Sequence, residues 1–307
     1  MELIELLLFP GFALLLVLAM AAEYLDRKVV ARMQNRVGPP WYQPAADCLK
    51  LLGKQALTPA HAKKLLYRAL PLVSLASAAA AYLCIPVWGK GLTAYEGDLV
   101  VVLYLLTVPT ICLFLAGWGS GSVYSIMGAF RTMTQMFAYE VPLFMAFLSP
   151  AILADTWSLS GILMFYQLHP WWTLLNLPAF LIALLAVQIK LSRAPFDAPE
   201  AETEIVGGAT VEYGGRYLAL FRLSADCELV ILISVMAAVF LPFTTGVAWA
   251  DFLLYLAQAL VLLLALSALR VPMARLRLDQ TLDLCWKVLT PLAIVQLVVD
   301  LMVKGAL

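Results

Sequence analysis

The residue best placed to do chemistry is Glu140. It falls inside an apolar run, roughly 134–154, beside Pro142 and about 9 Å along a helix from Thr134. A carboxylate at that depth costs about 2.5–3.5 kcal/mol on insertion scales unless it is protonated or paired. It can be a structural hydrogen-bonding group for the helix opened by Pro142, or a carrier of protons. A second concentration of carboxylates runs Ala194-Pro195-Phe196-Asp197-Ala198-Pro199-Glu200-Ala201-Glu202-Thr203-Glu204, then Glu212-Tyr213-Gly214-Gly215-Arg216. Asp197 and Glu200 fit a capping box with Pro199 in the first turn. Glu200 and Glu204 would share a helix face, with Glu202 about 200° around from Glu200. Acidic residues in a first turn suit the helix dipole. Crowded beside a low-dielectric layer, they should also have raised pKa values and could hold and pass protons. Glu23, with Arg27 at i+4, reads equally as a surface pair or as part of the same path.

Cys48, Cys84, Cys112, Cys227 and Cys285 are scattered, with no C-x-x-C, and His61 and His169 lie far apart. Neither a zinc site nor an iron–sulfur cluster is suggested. No G-x-G-x-x-G, P-loop or H-E-x-x-H occurs. The chain is expected to carry no catalytic residue, no metal and no cofactor of its own.

These residues sit in a sequence that is 63% hydrophobic and 13% charged, with a mean hydropathy of +0.90. A soluble domain carries roughly 25% charge. A bilayer is therefore the expected solvent. The formal net charge is zero, which gives no electrostatic case for a nucleic-acid partner. About eight runs are long enough to span: roughly 3–24, 70–88, 98–118, 134–154, 173–192, 226–245, 251–269 and 285–303. The first reads as a retained helix, not a cleaved signal peptide. With both termini outside, eighteen of the 20 Lys and Arg fall in or beside the inner segments. Only Lys90 and Lys304 fall elsewhere. Asp98, Asp155, Asp251 and Asp300 are read as solvated caps at outer helix ends. Trp88, Trp118, Trp157, Trp171 and Trp172 are read as interfacial belt residues. The fold class is all-α, one integral membrane domain over 1–307. Long inner segments at about 25–69 and 193–225 are rich in helix formers and paired charges, and are read as folded docking loops.

The first of those segments contains Arg36-Val37-Gly38-Pro39-Pro40, then Gln43-Pro44-Ala45-Ala46-Asp47-Cys48-Leu49-Lys50-Leu51. Gly38-Pro39-Pro40 forces a turn, and Asp47 and Lys50 can pair at i, i+3. These runs resemble the membrane subunit that joins the two arms of respiratory complex I. They also resemble its relatives in energy-converting membrane-bound nickel–iron hydrogenases and sulfur reductases. The resemblance rests on R-x-G-P…Q-P-x-A-D-x-x-K-L at Arg36–Leu51 and P-F-D-x-P-E-A-E-x-E at Pro195–Glu204. It rests also on E-Y-x-G at Glu212–Gly215 and A-R-L-R-x-D-Q at Ala274–Gln280, and it covers essentially the whole chain.

Two departures matter. Only Pro40-Trp41-Tyr42 separate Pro39 from Gln43, a shortened form similar to the hydrogenase and sulfur-reducing branch. Ala225 stands where many relatives have a glutamate, with Asp226 or Glu228 as candidates to replace it. The resemblance implies a proton path through Glu140, Glu200, Glu202, Glu204, Glu212, Glu23, Asp226 and Glu228. It implies docking or coupling roles for Arg27, Arg36, Asp47, Lys50, Asp197, Arg216, Arg275 and Asp279. Expected partners are a soluble iron–sulfur small subunit, a hydrogenase-like large subunit with or without its nickel–iron centre, and antiporter-like membrane subunits. The expected location is a prokaryotic plasma membrane, with H⁺ or Na⁺ pumping. The alternative is the quinone-site subunit of a complex I-type dehydrogenase.

Overall fold

In a bilayer the backbone must satisfy its own hydrogen bonds, so apolar runs of this length fold as helices. The computed structural model describes residues 6–87, 93 and 95–305, leaving aside the side chain of Glu202. Among the described residues every regular element is helical. In order they are α1 (Phe12–Met33), α2 (Gln43–Leu52), α3 (Lys64–Leu83), α4 (Asp98–Gly119), α5 (Val123–Ala154) and α6 (Leu159–Leu168). There follow α7 (Trp172–Leu175), α8 (Leu177–Lys190), α9 (Glu202–Ile205), α10 (Gly215–Phe240), α11 (Ala248–Arg270) and α12 (Leu278–Gly305), the last with a π turn at Cys285–Leu289.

Six of these, α3, α4, α5, α10, α11 and α12, are long and apolar enough to cross a membrane. α1 has 22 residues, but its second half carries Glu23, Asp26, Arg27, Lys28 and Arg32. α8 has only 14 residues. The expected span 173–192 is broken at Asn176, because Pro178 has no N–H to continue α7 into α8. α10 is the central helix, with 83% of its apolar window buried, and packs against α1, α3 and α11. α11 and α12 are peripheral, at 22% and 28%.

Several expected boundaries move outward. α5 begins at Val123 rather than near residue 134, and α10 at Gly215 rather than near residue 226. Hydropathy marks the part of a helix that lies in hydrocarbon, whereas the hydrogen-bonded helix runs on into charged sequence. The segment near 119–133 is therefore mostly helix, and the 193–225 segment ends at Gly214.

The expected capping box at Asp197 does not form. Phe196 N–H donates to Arg193 O at 2.8 Å and Glu200 N–H to Asp197 O at 3.2 Å, which makes 193–200 a pair of turns. Helix begins only at Glu202 and lasts four residues. Pro195 and Pro199 remove two backbone donors, and Gly207 and Gly208, at φ 128° and 65°, turn the chain away. Glu200 and Glu204 thus do not share a helix face.

Two expected solvated caps are buried instead. Asp98 is 1% exposed and accepts the Tyr95 N–H at 2.7 Å, so it closes the turn before α4 from within. Asp300 is 0% exposed. Trp88 and Lys90 lie outside the described residues.

Candidate functional site

The charged second half of α1 meets the 193–226 region at the end of the bundle that carries the loops. Arg27 Nε lies 2.5 Å from Glu23 Oε1, and its Nη1 lies 3.3 Å from Asp47 Oδ2 on α2. Gln43 also donates to Asp47, at 3.1 Å. The expected Asp47–Lys50 partnership is thereby replaced: Asp47 turns inward to Arg27, and Lys50 is exposed. Arg193 bridges Glu23 at 3.3 Å and Asp26 at 2.9 Å. Asp26, 1% exposed, is also held by Arg270 at 3.0 Å and Ser267 at 2.6 Å.

Beside this cluster is a cavity of about 450 Å³, whose charged lining is Glu23, Arg27, Asp47, Glu200, Arg222 and Asp226. Glu200 keeps solvent contact through the cavity while protein encloses its other sides. That enclosure pushes its pKa up, and the neighbouring Asp197 adds to the rise, against the pull of Arg222, Arg193 and Arg270.

Asp226 and Glu228 sit two residues apart on α10, hence about 200° apart around it. Asp226 faces the cavity. Glu228, 7% exposed, faces Lys190 at the end of α8, with Oε1 3.7 Å from Nζ. Lys190 Nζ donates to the Leu106 carbonyl at 2.7 Å and stands 5.5 Å from the Tyr139 ring centroid. The Tyr139 hydroxyl is 3.3 Å from Thr110 Oγ1. Glu140, half-buried on α5, interacts electrostatically with the same Lys190. Lys190 is thus a buried cation paired with Glu228 and felt electrostatically by Glu140.

A separate surface clasp joins three segments. Arg131 of α5 bonds Glu204 at 2.6 Å, while Arg275 reaches Asp197 at 2.9 Å and Glu204 at 3.9 Å. The Arg131 hydrogen bond holds the Glu204 pKa below its ordinary value. Other named residues stand apart. Arg36 and Asp279 are exposed, and Arg216 is exposed with its guanidinium 5.5 Å from the Tyr217 ring centroid. Glu212 is half-buried, and its carbonyl accepts the Tyr67 hydroxyl at 2.7 Å. The side chain of Glu202 lies outside the described residues. Asp26, Lys190, Arg193 and Arg222 are site residues that the sequence alone did not single out. The available signals were the end of a 14-residue apolar helix for Lys190 and the i+3 spacing from Glu23 for Asp26. Among the described residues no group of three or more His, Cys, Asp or Glu side chains is placed to hold a metal ion.

The chain is similar to known proteins in both sequence and structure. It is 36% identical over 94% of its length to a subunit of the NADH-quinone oxidoreductase of Thermomicrobium roseum, covering 92% of that protein. It is 35% identical over 92% of its length to the same subunit from Frankia casuarinae, covering 69% of it. Among solved structures it superposes with a TM-score of 0.87 on a chain of the membrane-bound sulfane sulfur reductase, an archaeal respiratory membrane complex. That match has 27% identity and covers 97% of this chain and 99% of the other. The NADH dehydrogenase family model matches residues 5–301, and the chain belongs to that family.

Proposed function

We propose that this chain is the ion-coupling membrane subunit of a multisubunit respiratory oxidoreductase of the complex I type, in its hydrogenase-like or sulfur-reducing branch. The observation that carries the reading is buried Lys190, paired with Glu228 and coupled electrostatically to Glu140, while Asp226 on the same helix as Glu228 lines the cavity. A buried ion pair gives little net stability, which leaves this one free to act as a switch. Shifting charge in the cavity at Asp226 or Glu23 alters the field at Glu228, frees or binds Lys190, and lets Glu140 take or release a proton. The loop-bearing face is the cytoplasmic one by its basic residues. A soluble iron–sulfur subunit and a hydrogenase-like large subunit dock there, carrying the redox centres. Antiporter-like membrane subunits accept the displaced ions. The complex sits in a prokaryotic plasma membrane.

The short Pro39–Gln43 connection and the likeness to the sulfur reductase chain support this branch. A quinone-site subunit is the second reading, favoured by the description of the curated relatives and by the cavity. Glu140→Gln keeps shape and hydrogen-bonding capacity but cannot titrate. The expected result in sealed vesicles is an assembled complex whose ions pumped per electron fall sharply. Normal pumping per electron would remove Glu140 from the path. Inhibition of the wild-type complex by a quinone analogue would move the reading to the second branch.

A further inference from the structure

At the end of the bundle opposite the charged loops, Asp300 of α12 is 0% exposed, and its side-chain partners among the described residues are neutral. Its Oδ1 accepts from Gln296 Nε2 at 2.9 Å, and Gln296 also donates to Leu175 O at 3.0 Å. Its Oδ2 is bonded to Ser149 Oγ. Ser149 Oγ is also 3.2 Å from Asn176 Oδ1; Asn176 Nδ2 donates to the Tyr166 hydroxyl at 2.5 Å, and Tyr166 donates to Pro150 O at 3.1 Å.

This chain of bonds has two fully satisfied forms, and the Asn176 amide is oriented as in the form that holds a neutral acid. Ser149 owns one proton, yet faces two acceptors, Asp300 Oδ2 and Asn176 Oδ1. If Asp300 is ionised, Ser149 must donate to it, and Asn176 Oδ1 is left facing a lone pair. If Asp300 is a neutral acid, its O–H donates to Ser149, Ser149 donates to Asn176, and every later donor finds its acceptor. An ionised Asp300 would require the Asn176 amide to turn over and Tyr166 to abandon Pro150 O. With the amide as it stands, the ionised form leaves Asn176 Oδ1 unmatched, which costs about 1–3 kcal/mol.

We infer that Asp300 is a proton-binding site in this half of the membrane, holding a proton that is released at the nearby rim. Tyr166 is the other titratable side chain in this chain of bonds. At the rim, Asp155 after α5 and Lys304 of α12 pair with each other at 2.5 Å. His169, just after α6, sits against the Phe165 ring, with centroids 5.2 Å apart. Lys304 is one turn beyond Asp300, about 6 Å along the helix. On the packed helices Glu140 and Lys190 lie toward the other end, Glu140 being nine residues before Ser149. The step is a proton transfer that needs the α12 end to open: the Asp300 O–H breaks, an entering water takes the proton as hydronium, and the Asn176 amide reverses so that Nδ2 donates to Ser149 and Ser149 to the carboxylate. The transport role rests on the coupling function proposed above; the bound proton does not.

Infrared difference spectra of the intact complex test it. A protonated-carboxyl C=O band that shifts in deuterated water is expected in wild type and in Glu140→Gln, and is lost in Asp300→Asn. An amide N–H replaces the acid O–H toward Ser149, so Asp300→Asn should assemble, and its ions pumped per electron in vesicles should fall. Should that variant fail to assemble, Ser149→Ala must move the same band, since it removes the acid's acceptor. Absence of an Asp300- or Ser149-dependent band overturns the bound proton. A band accompanied by undiminished pumping in Asp300→Asn overturns its release. Normal pumping in Glu140→Gln with the band intact would count against the coupling path alone.

Discussion

Lys190 is held by three different forces: a carbonyl, a carboxylate and an aromatic face. Removing it leaves Glu228 buried without its cation, a loss of about 3–5 kcal/mol. Lys190→Met should therefore lower the yield of assembled complex, as read by native electrophoresis of membranes. Lys190→Met with Glu228→Leu removes both charges and should restore assembly while leaving pumping absent. Recovery of pumping in the double variant would show the pair to be merely structural. Glu200 makes a second prediction, about pH. Its pKa in the folded chain lies above the ordinary 4.5 because protein encloses it, so the folded state binds the proton more tightly than the unfolded one. Below 4.5 both states are protonated and Glu200 costs nothing. As pH rises through 4.5 and on through the raised value, the unfolded state ionises first and stability is lost. Melting curves of the solubilised complex and of Glu200→Gln should coincide in acid and separate above that point, with the variant the more stable. A gap independent of pH would contradict this.

Among the elements, α5 is the one on which the site turns. It carries Arg131 in the surface clasp, Glu140 within the field of Lys190, and Ser149 bonded to Asp300. Its approach to the 193–214 loop depends on Gly128. A Cβ there would stand 2.5 Å from the Cα of Gly208, which is itself hemmed in: its φ is 65°, and a Cβ on it would stand 2.1 Å from Pro199 O. Ser125 Oγ donates to Ala209 O at 2.8 Å along the same contact. Gly128→Ala should push the loop off α5 at a cost of about 1–3 kcal/mol. Limited proteolysis near Val206 should then quicken, whereas the equivalent change at Gly119, with no neighbour near its Cβ, should leave cleavage unaltered.

For the whole molecule, most basic residues gather at one end, and the ion path is proposed to begin there. α2 and its approaches leave Trp41 at 77% and Leu49 at 68% exposed, with Lys50 and Arg36 exposed beside them. If this end receives the soluble arm, Arg36→Glu should detach that arm or slow electron delivery, and leave the membrane bundle intact. Co-purification of the soluble subunits with the variant chain measures it; an undiminished yield with normal coupled activity would remove Arg36 from the docking surface.

The sequence by itself determined the solvent and the class. Runs of about 20 apolar residues can only be helices in lipid, and so the all-helical fold was legible. Glu140 was legible for the same reason, as a charge inside such a run. Pairing was not. Asp47 turns to Arg27 rather than Lys50, and Glu228 to Lys190, because these contacts join helices far apart in the chain and no local spacing encodes them. The acidic run looked like one helix start until Pro195, Pro199 and the glycine pair divided it, sending Glu200 to the cavity and Glu204 to Arg131. Asp300 looked like a solvated cap from its place near a helix end. Only the packing of α5 and α8 against α12 sealed it from water, since burial depends on what neighbouring helices cover.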